Sequence, residues 1–337
     1  MKSFSSLKAC AAFAVALCLA SPSIAADLIP IKFSLSFSIA ADAAPYLLAL
    51  ERGYFRDAGL DVTIDASTGS GEAVTRVASG VYQMGSSDFA TLVEFASRQP
   101  AVTPKAVLVI YDRGPQAVIT LAESNIKVPA DLAGKTVGGG ATDGPARMFP
   151  AFMNAAGVPK DSVKWRQISP QIRDSMLLTK QIDAVVGNDY TSWFNLKARG
   201  LKLADVRIIP YADFGLDVYS NSIIANATLL RDHPEAVKGF VDAALRGWRD
   251  AVADPKTASL TLMKRDKLID GDIELERLQF LLDTKVMTPH AKKYGIGSID
   301  PKRMEQNITT ITESFGLTTA PAVSVVYDPR FAPAPAK

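Results

Sequence analysis

The sequence predicts an α/β protein whose sheets are mainly parallel and flanked by helices. First, short apolar strands alternate with helices from Ile31 onwards, and the segment 106–110 is wholly apolar, as the centre of a covered parallel sheet requires. Second, this alternation restarts at Ala117, after residues 112–115, which indicates a second sheet. Third, glycine-rich bends follow several of the predicted strands, an arrangement with which open α/β sheets form a ligand cleft.

Apolar periodicity and turn residues define the individual elements. Pro45 and Pro145 lie where the first turn of a helix tolerates proline, and Gly59 and Gly157 lie where the preceding helices should end. The predicted strands span residues 31–38, 60–64, 82–85, 106–110, 117–121, 135–137, 163–168 and 182–186. The predicted helices span residues 45–55, 73–79, 89–97, 145–156, 171–179, 191–198, 234–252, 256–264, 273–283 and 302–315.

The first 25 residues have the form of a secretory signal peptide. Lys2 and Lys8 form a basic start, residues 9–20 form a short apolar stretch, and Ser23-Ile24-Ala25 forms a small-residue cleavage site. A membrane anchor is the alternative, but spanning a bilayer takes about 18 or more apolar residues. We therefore expect cleavage near Ala25 and an exported, periplasmic protein.

Composition excludes several chemistries for the chain that follows the signal. Both cysteines, Cys10 and Cys18, lie in the signal, so the mature chain has no disulfide, no zinc–thiolate site and no cysteine nucleophile. Loss of Lys2 and Lys8 leaves equal numbers of basic and acidic residues, which gives no charge pattern for nucleic acid. About 312 residues remain, and these suffice for two packed domains.

The sequence contains no recognisable catalytic set or cofactor motif. His233 and His290 are the two histidines; neither has a second ligand at metal-site spacing, and we expect both on the surface. Gly134-Lys135-Thr136 lacks the upstream glycine of a phosphate loop, because Pro129 holds that position. We therefore predict no catalytic residue, no metal site and no cofactor.

Four bends at the ends of predicted strands form the candidate ligand cleft. They are residues 67–72, 85–88, 136–147 and 187–189, and the third is the richest in glycine. Such bends present backbone N–H groups and positive helix ends to whatever lies in front of them. We expect these bends to face one another across a small molecule.

Five acidic residues lie near these bends or at other candidate cleft ends. They are Asp42, Asp88, Asp143, Asp189 and Asp217. Carboxylates accept hydrogen bonds from the N–H groups of a ligand and repel a strong anion. Helix capping is the alternative role for Asp88 and for Asp143. Because Arg113 and Arg147 are the nearby cations, the acids favour a neutral or weakly basic ligand.

Four aromatic residues lie near the same bends. They are Phe37, Tyr190, Trp193 and Tyr219. A flat heterocycle stacks on side chains of this kind. For Trp193, packing in the core is an equally good interpretation, because Phe194 and Leu196 lie beside it.

The segment from Glu51 to Val62 carries a distinctive motif, Glu-Arg-Gly-Tyr-Phe-Arg-Asp-Ala-Gly-Leu-Asp-Val. This motif resembles that of the periplasmic substrate-binding proteins of ABC importers, in the nitrate/sulfonate/taurine and thiamine-pyrimidine-precursor branch. Further matches are Gly69-Ser70-Gly71, residues 132–138, residues 181–185 and the helix from Pro234. The resemblance extends over residues 31–253.

The resemblance implies a type II periplasmic binding protein, in which two crossings join two α/β lobes and hinge closure traps the ligand. The crossings would be residues 112–116 and 214–221. The chain would divide into a signal peptide (1–25), the first lobe (26–113), the second lobe (114–218), a mostly helical return to the first lobe (219–328) and a disordered tail (329–337).

The resemblance also assigns ligand contacts by position. The implied ligand-facing residues are Ser38, Asp42, Ser70, Ser87, Asp88, Thr142, Asp143, Asn188, Asp189 and Tyr219. The bends and their neighbours add Gly69, Gly144, Arg147, Trp193 and Asp217 to the predicted site.

The implied function is capture of a small solute and its delivery, by a monomer, to an inner-membrane ABC permease with a cytoplasmic ATPase. The acids favour a nitrogen heterocycle such as a thiamine pyrimidine precursor. An organosulfonate, taurine-type or aromatic-acid ligand is the alternative. A pyrimidine-synthase-like enzyme is opposed by the missing cysteines and the export signal, and a ligand-sensing subunit is a further alternative.

Two departures from the family pattern leave the ligand class open. Residues 188–192 stand where the related fungal pyrimidine synthases carry a cysteine-rich motif. Residues 36–40 lack the tryptophan and asparagine of many thiamine-precursor binders.

Overall fold

A computed structural model describes residues 28–140 and 143–333, apart from the side chains of residues 170 and 171. The predicted signal peptide and residues 334–337 lie outside the described residues. Within the described part of the chain, ten strands form two five-stranded sheets. Each sheet has helices packed against it, so the predicted α/β class is confirmed.

The strands follow the alternation that the sequence predicts, and β9 and β10 complete the two sheets. Their bounds are β1 (Ile29–Ser34), β2 (Leu60–Asp65), β3 (Met84–Ser87), β4 (Lys105–Val109), β5 (Gln116–Leu121), β6 (Thr136–Gly139), β7 (Lys164–Gln167), β8 (Ala184–Asn188), β9 (Val206–Pro210) and β10 (Ser222–Ala225). At the edge of its sheet, β2 alternates buried Leu60, Val62 and Ile64 with exposed residues.

The helices begin and end close to the predicted positions. Their bounds are α1 (Ala44–Glu51), α2 (Tyr54–Asp57), α3 (Ser70–Ala78), α4 (Phe89–Arg98), α5 (Gly144–Ala155), α6 (Pro170–Leu178), α7 (Asp189–Lys197), α8 (Ala227–Asp232), α9 (Pro234–Ala253), α10 (Pro255–Arg265), α11 (Gly271–Leu281), α12 (Pro289–Tyr294), α13 (Pro301–Ser314) and α14 (Val323–Val326). A π-helical segment, Leu282–Val286, continues α11.

The two sheets share one topology. The first has the order β2-β1-β3-β10-β4, and the second has the order β7-β6-β8-β5-β9. In each sheet one strand, β10 or β5, runs antiparallel to both of its neighbours, while the other pairings are parallel. Both sheets are therefore mixed but mainly parallel.

The chain passes between the sheets twice. It leaves the first sheet after β4 and enters the second at β5, and it returns between β9 and β10. We call the first sheet with α1–α4 and α8–α10 the first lobe, and the second sheet with α5–α7 the second lobe. Helix α11 packs against α10 and α7, and α13 packs against α4 and α5, so both touch each lobe.

A buried apolar cluster extends from one sheet to the other. It contains Val109 and Ile224 of the first sheet together with Val118 and Val186 of the second. A separate cluster covers the other face of the first sheet, where Trp248 of α9 is fully buried. The shared cluster joins the lobes through apolar packing as well as through the crossings.

The end of the described chain differs from the predicted disordered tail. Pro329–Phe331 forms a turn of 3-10 helix, and Phe331 is buried in the core of the first lobe. An aromatic side chain that finds a core position stabilises the backbone around it, so residues 329–333 belong to the folded structure.

Gly247 marks the closest approach of two helices in the first lobe. A Cβ added at Gly247 of α9 would lie 2.2 Å from the carbonyl oxygen of Pro45 and 2.9 Å from the Cβ of Ala49, both in α1. Gly247→Ala should therefore force the helices apart and lower the free energy of unfolding by about 1–3 kcal/mol. Urea denaturation measures this change.

Gly71→Ala is the matched control for this substitution, because a Cβ at Gly71 would meet nothing within 4 Å. In helix α3 the added methyl should leave stability unchanged or raise it by up to about 1 kcal/mol. Equal losses in the two variants would contradict the helix contact.

Candidate ligand-binding cleft

A cleft of about 580 Å³ lies between the two sheets at the carboxyl ends of their strands. Because parallel strands end at the same edge of a sheet, the bends after β1, β2 and β3 form one wall, and those after β6 and β8 form much of the other. The volume lies within the range of about 300–1,000 Å³ that is typical of small-molecule sites.

The structure brings eight of the predicted residues into the lining of this cleft. They are Ser38, Asp42, Gly69, Ser70, Asp88, Asp143, Gly144 and Asn188. The walls approach closely, since a Cβ added at Gly144 would lie 4.0 Å from Oδ1 of Asp88. That these residues bind a ligand stays a prediction.

Six predicted residues lie outside the lining of the cleft. They are Ser87, Arg147, Asp189, Trp193, Asp217 and Tyr219. Thr142, the remaining member of the predicted set, lies outside the described residues. Contacts within the protein account for the positions of the six.

Two of these six form ion pairs with buried partners. Arg147 of α5 pairs through both guanidinium nitrogens with the buried carboxylate of Glu94 in α4. Asp189 at the start of α7 pairs with Lys285 of the π-helical segment, and both side chains are buried. These residues hold the two lobes and the C-terminal helices together.

The other four also have partners in the protein or positions in its core. Arg303 of α13 lies 3.3 Å from the carboxylate of Asp217 and stacks 4.2 Å from the ring centroid of Tyr219. Trp193 packs in the apolar core of the second lobe, as one of its two sequence interpretations has it. Ser87 is fully buried in β3.

Asp88 lines the cleft but its carboxylate is occupied by the protein. Oδ1 accepts from the backbone N–H groups of Ala90, at 2.9 Å, and Thr91, at 3.3 Å, so the capping role is present. Oδ2 accepts from the hydroxyl of Ser220 at 2.6 Å and from Gln116 Nε2 at 3.1 Å. Burial raises the pKa of Asp88, and these hydrogen bonds oppose the rise.

Asp143 lies at the start of α5, and its carboxylate, unlike that of Asp88, accepts no hydrogen bond from the described residues. Its side chain accepts no capping hydrogen bond. Oδ2 is buried and has no hydrogen-bond partner in the part of the chain that the structure describes, with Arg173 Nη1 3.7 Å away. Burial raises the pKa of Asp143, and the positive charge of Arg173 opposes the rise.

Asp42 lies in a turn of 3-10 helix, Ala41–Ala43, just before α1. Burial raises the pKa of Asp42 from its ordinary value of 3.8 to about 6. The carboxylate of Glu274 adds to the rise and the guanidinium of Arg277 opposes it. Glu274 itself accepts a hydrogen bond of 2.7 Å from the backbone N–H of Ala41.

Three arginines in the cleft lining are absent from the predicted site. They are Arg173 of α6, Arg199 just beyond α7, and Arg277 of α11. The expectation that Arg113 and Arg147 supply the nearby cations is wrong, because Arg113 pairs with Asp213 and Arg147 with Glu94 outside the lining.

Two of these arginines belong to a chain of polar contacts along the cleft wall. Arg173 Nε donates to Asp174 at 3.2 Å, and Asn195 Nδ2 donates to the same carboxylate at 3.0 Å. Arg277 Nη2 then donates to Asn195 Oδ1 at 3.3 Å. Arg173 also donates to Val186 and Ser192, so it uses much of its hydrogen-bonding capacity within the protein. Arg277 uses less, since Nη2 alone contacts Asn195 and Glu274.

One missed group of lining residues has a sequence signal. Asn188, Thr191, Asn195 and Arg199 recur every three or four positions, which places them on one face of α7. A polar face on a helix that starts at a predicted cleft bend indicates cleft residues. No such local signal identifies Arg277, because α11 reaches the cleft through tertiary packing.

Two aromatic residues line the cleft with different surroundings. Tyr190 is largely buried, and its ring meets that of Tyr111 in the first crossing edge-on at 6.3 Å. Phe37 is 41% exposed.

Across residues 28–140 and 143–333, no group of three or more acidic, histidine or cysteine side chains could hold a metal, and no helix is long and apolar enough to cross a membrane.

Comparison with known proteins identifies the family. Residues 40–258 match the family described as NMT1/THI5 like. The chain belongs to this family. A riboflavin-binding protein, RibY of Chloroflexus aurantiacus, is 27% identical over 311 residues, which cover 86% of this chain and 82% of that protein. A formylaminopyrimidine-binding protein of Halalkalibacterium halodurans is 28% identical over 269 residues, 78% of each chain.

Solved structures of the same architecture include the periplasmic aliphatic sulphonate-binding protein SsuA of Escherichia coli. It superposes with a TM-score of 0.70 and 12% identity, over 88% of this chain and 96% of SsuA. At this identity the likeness establishes the fold of a periplasmic binding protein, as the sequence motif implies. Together with the family match, it makes the chain a solute-binding protein of the ABC-importer type.

Asp42 should make the stability of the unliganded protein depend on pH. Because the folded pKa of about 6 exceeds the ordinary 3.8, the folded state binds more protons between these values, and stability falls as pH rises through this window. Asp42→Asn removes this cost, so at pH 8 the variant should be more stable than the wild type by about 1–2 kcal/mol.

Urea denaturation at pH 4 and pH 8 tests this expectation. The stability advantage of Asp42→Asn should shrink towards zero at pH 4, where the wild-type carboxyl is mostly protonated. Asp61→Asn, at an exposed position of β2, is the control and should show no comparable gain. An advantage of Asp42→Asn that is the same at both pH values would contradict the buried carboxylate.

The buried pair of Asp189 and Lys285 should matter for stability. Asp189→Ala leaves a buried ammonium group without its partner, so it should lower the free energy of unfolding by about 3–5 kcal/mol. Asp213→Ala is the control, since Asp213 pairs with Arg113 at the surface, where such a pair contributes at most about 1 kcal/mol. Similar losses in the two variants would refute the distinction.

Proposed function

We propose that this protein binds a flat nitrogen heterocycle in the periplasm and, as a monomer, delivers it to an inner-membrane ABC permease with a cytoplasmic ATPase. The observation that carries the proposal is the cleft, which both lobes line with hydrogen-bond acceptors and aromatic rings. A pyrimidine or a larger fused ring of the flavin type fits this description.

The acceptors favour a ligand that has N–H groups. Asp42 and Asp143 both line the cleft, and burial raises the pKa of each carboxyl. A ligand N–H placed against such a carboxylate supplies the interaction that burial has removed. Tyr190 and Phe37 offer ring surface for a flat molecule.

The names of the two relatives support the same ligand class. One binds riboflavin and the other formylaminopyrimidine, and both compounds are planar nitrogen heterocycles. The relatives share about a quarter of their residues with this chain, so they indicate the class of ligand more than the individual compound.

An organic anion such as a sulfonate or an aromatic acid is the second candidate. The observation in its favour is the presence of Arg173, Arg199 and Arg277 in the lining. It ranks second because Arg173 pairs with Asp174 and Arg277 pairs with Glu274, while Arg199 is exposed to solvent, which screens its charge. Cations that are already paired attract an anion less strongly.

Capture by hinge closure is part of the proposal. The lobes as defined from the sequence, 26–113 with 219–328 and 114–218, would rotate about the two crossings. Two ion pairs would make or break on closure: Lys197 of α7 with Glu276 of α11, and Arg147 of α5 with Glu94 of α4. We propose that the ligand leaves the cleft chemically unchanged.

Mass spectrometry of the compound released from freshly purified, denatured protein tests the ligand class. We expect a nitrogen heterocycle in amounts approaching one per protein. Gly144→Phe, which would fill the cleft beside Asp88, is the control and should release none. Release of a sulfonate or carboxylate from the wild type would replace the heterocycle proposal by the second candidate.

A further inference from the structure

Asp143 is an acid of the cleft lining that accepts no hydrogen bond from the described residues. Asp42 differs, because its buried carboxyl accepts from its own backbone N–H and lies close to Glu274 and Arg277. Asp88 accepts four hydrogen bonds from the protein, and Asp174 accepts from Arg173 and Asn195. Glu72 accepts from the backbone N–H and hydroxyl of Thr68. The side chain of Asp143 neither caps α5 nor accepts elsewhere within the described residues.

The cation nearest to Asp143 is Arg173, and its own hydrogen bonds keep it from donating one to Asp143. Arg173 donates through Nη1 to the carbonyl of Val186 and through Nη2 to the hydroxyl of Ser192. Its guanidinium lies against Gly187, where a Cβ would come within 2.6 Å of Nη1. Arg173 therefore stays 3.7 Å from Asp143, beyond hydrogen-bond distance, and the carboxylate keeps its capacity to accept.

Unused donors lie on the same wall of the cleft, around Asn195. Arg277 is 9% exposed and lines the cleft, and its Nε–H has no hydrogen-bond partner in the described structure. Arg199, one helical turn beyond Asn195, is exposed and lines the cleft as well. Arg277 Nη2 lies 3.3 Å from Asn195 Oδ1 and 3.3 Å from Glu274 Oε1, and the Nε–H is buried. Arg199 and the remaining N–H groups of Arg277 are therefore the donors left for a ligand oxygen.

We propose that the ligand is a planar heterocycle that donates a ring or amide N–H to Asp143 and turns a carbonyl or anionic oxygen towards Arg277 and Arg199. This inference rests on the proposed function and narrows it. It selects heterocycles that carry both a donor and an acceptor edge, such as lactams, imides and formamides. Simple amines and simple sulfonates would each leave one side of the cleft unpaired.

Asp143 is then the specificity-determining acid, whereas Asp88 serves the fold. The distinction is physical, because removing a carboxylate that accepts four protein hydrogen bonds destabilises the protein, whereas removing one that accepts none does not. Asp143→Asn should therefore fold with an unchanged thermal midpoint and lose affinity for the ligand.

Titration of riboflavin, of 3-methylriboflavin, whose imide N–H is replaced by a methyl group, and of formylaminopyrimidine tests the inference. For a probe that the wild type binds, Asp143→Asn should raise the Kd by about 10–100-fold, since a hydrogen bond to a charged group is lost. If riboflavin binds, the methylated analogue should bind the wild type more weakly and should not respond further to Asp143→Asn.

Two control variants accompany this titration. Asp217→Asn makes the same chemical change outside the cleft lining and should leave the Kd within about twofold of the wild type. Each of the three probes has a carbonyl oxygen, so Arg199→Gln should weaken binding of any probe that the wild type binds, whereas Arg166→Gln, on exposed β7, should not.

The outcomes separate this inference from the proposed function. Unchanged affinity of Asp143→Asn for a probe that the wild type binds would overturn the role of Asp143 and leave the heterocycle proposal intact. Failure of the wild type to bind any of the heterocycles would overturn both. Loss of affinity in Asp143→Asn, together with no loss in Asp217→Asn, would support the N–H donated to Asp143. Loss of affinity in Arg199→Gln, together with no loss in Arg166→Gln, would support the ligand oxygen placed against Arg199.

Discussion

The buried ion pair of Asp189 and Lys285 fixes the geometry on which the cleft depends. Asp189 is the first residue of α7, and its backbone N–H also donates to the carbonyl of Pro115 in the first crossing, at 2.8 Å. Helix α7 is thereby tied to the crossing and to the C-terminal helices at once. The face of α7 that carries Thr191 and Asn195 is directed into the cleft as a result.

The same packing explains why the lobes are not independent bodies. A continuous apolar cluster joins the two sheets, and α11 and α13 contact helices of both lobes. Ion pairs such as Arg147 with Glu94 add a polar connection between α5 and α4. Movement of one lobe relative to the other must therefore concentrate in the two crossings and in contacts that can separate without exposing the shared core.

The charges of the cleft are balanced in a way that bears on its selectivity. Acids outnumber arginines in the lining, but Arg173 with Asp174 and Arg277 with Glu274 form ion pairs, and Asp88 accepts hydrogen bonds from neutral groups of the protein. On the proposal made here, a ligand is selected by the groups that keep unused hydrogen-bonding capacity, which are Asp143 and the remaining donors of Arg277 and Arg199. Specificity of this kind comes from unpaired polar groups more than from net charge. A shared fold with sulphonate-binding SsuA is compatible with a different ligand for this reason.

Local patterns in the sequence predicted eight of the ten described strands, the longer helices, the bends at the strand ends and eight residues of the cleft, because periodicity and turn chemistry act over a few residues. Strands β9 and β10 and the short helices α8, α12 and α14 were not predicted. Tertiary structure decided which of those residues have a hydrogen-bond or ion-pair partner within the protein. Asp189 and Lys285 are 96 positions apart, and Arg277 enters the cleft from a helix that follows both crossings. No short-range pattern encodes such partners, since they meet only when separate elements pack. For the same reason the sequence did not distinguish Asp88, whose carboxylate accepts four hydrogen bonds within the fold, from Asp143, whose carboxylate accepts none from the described residues.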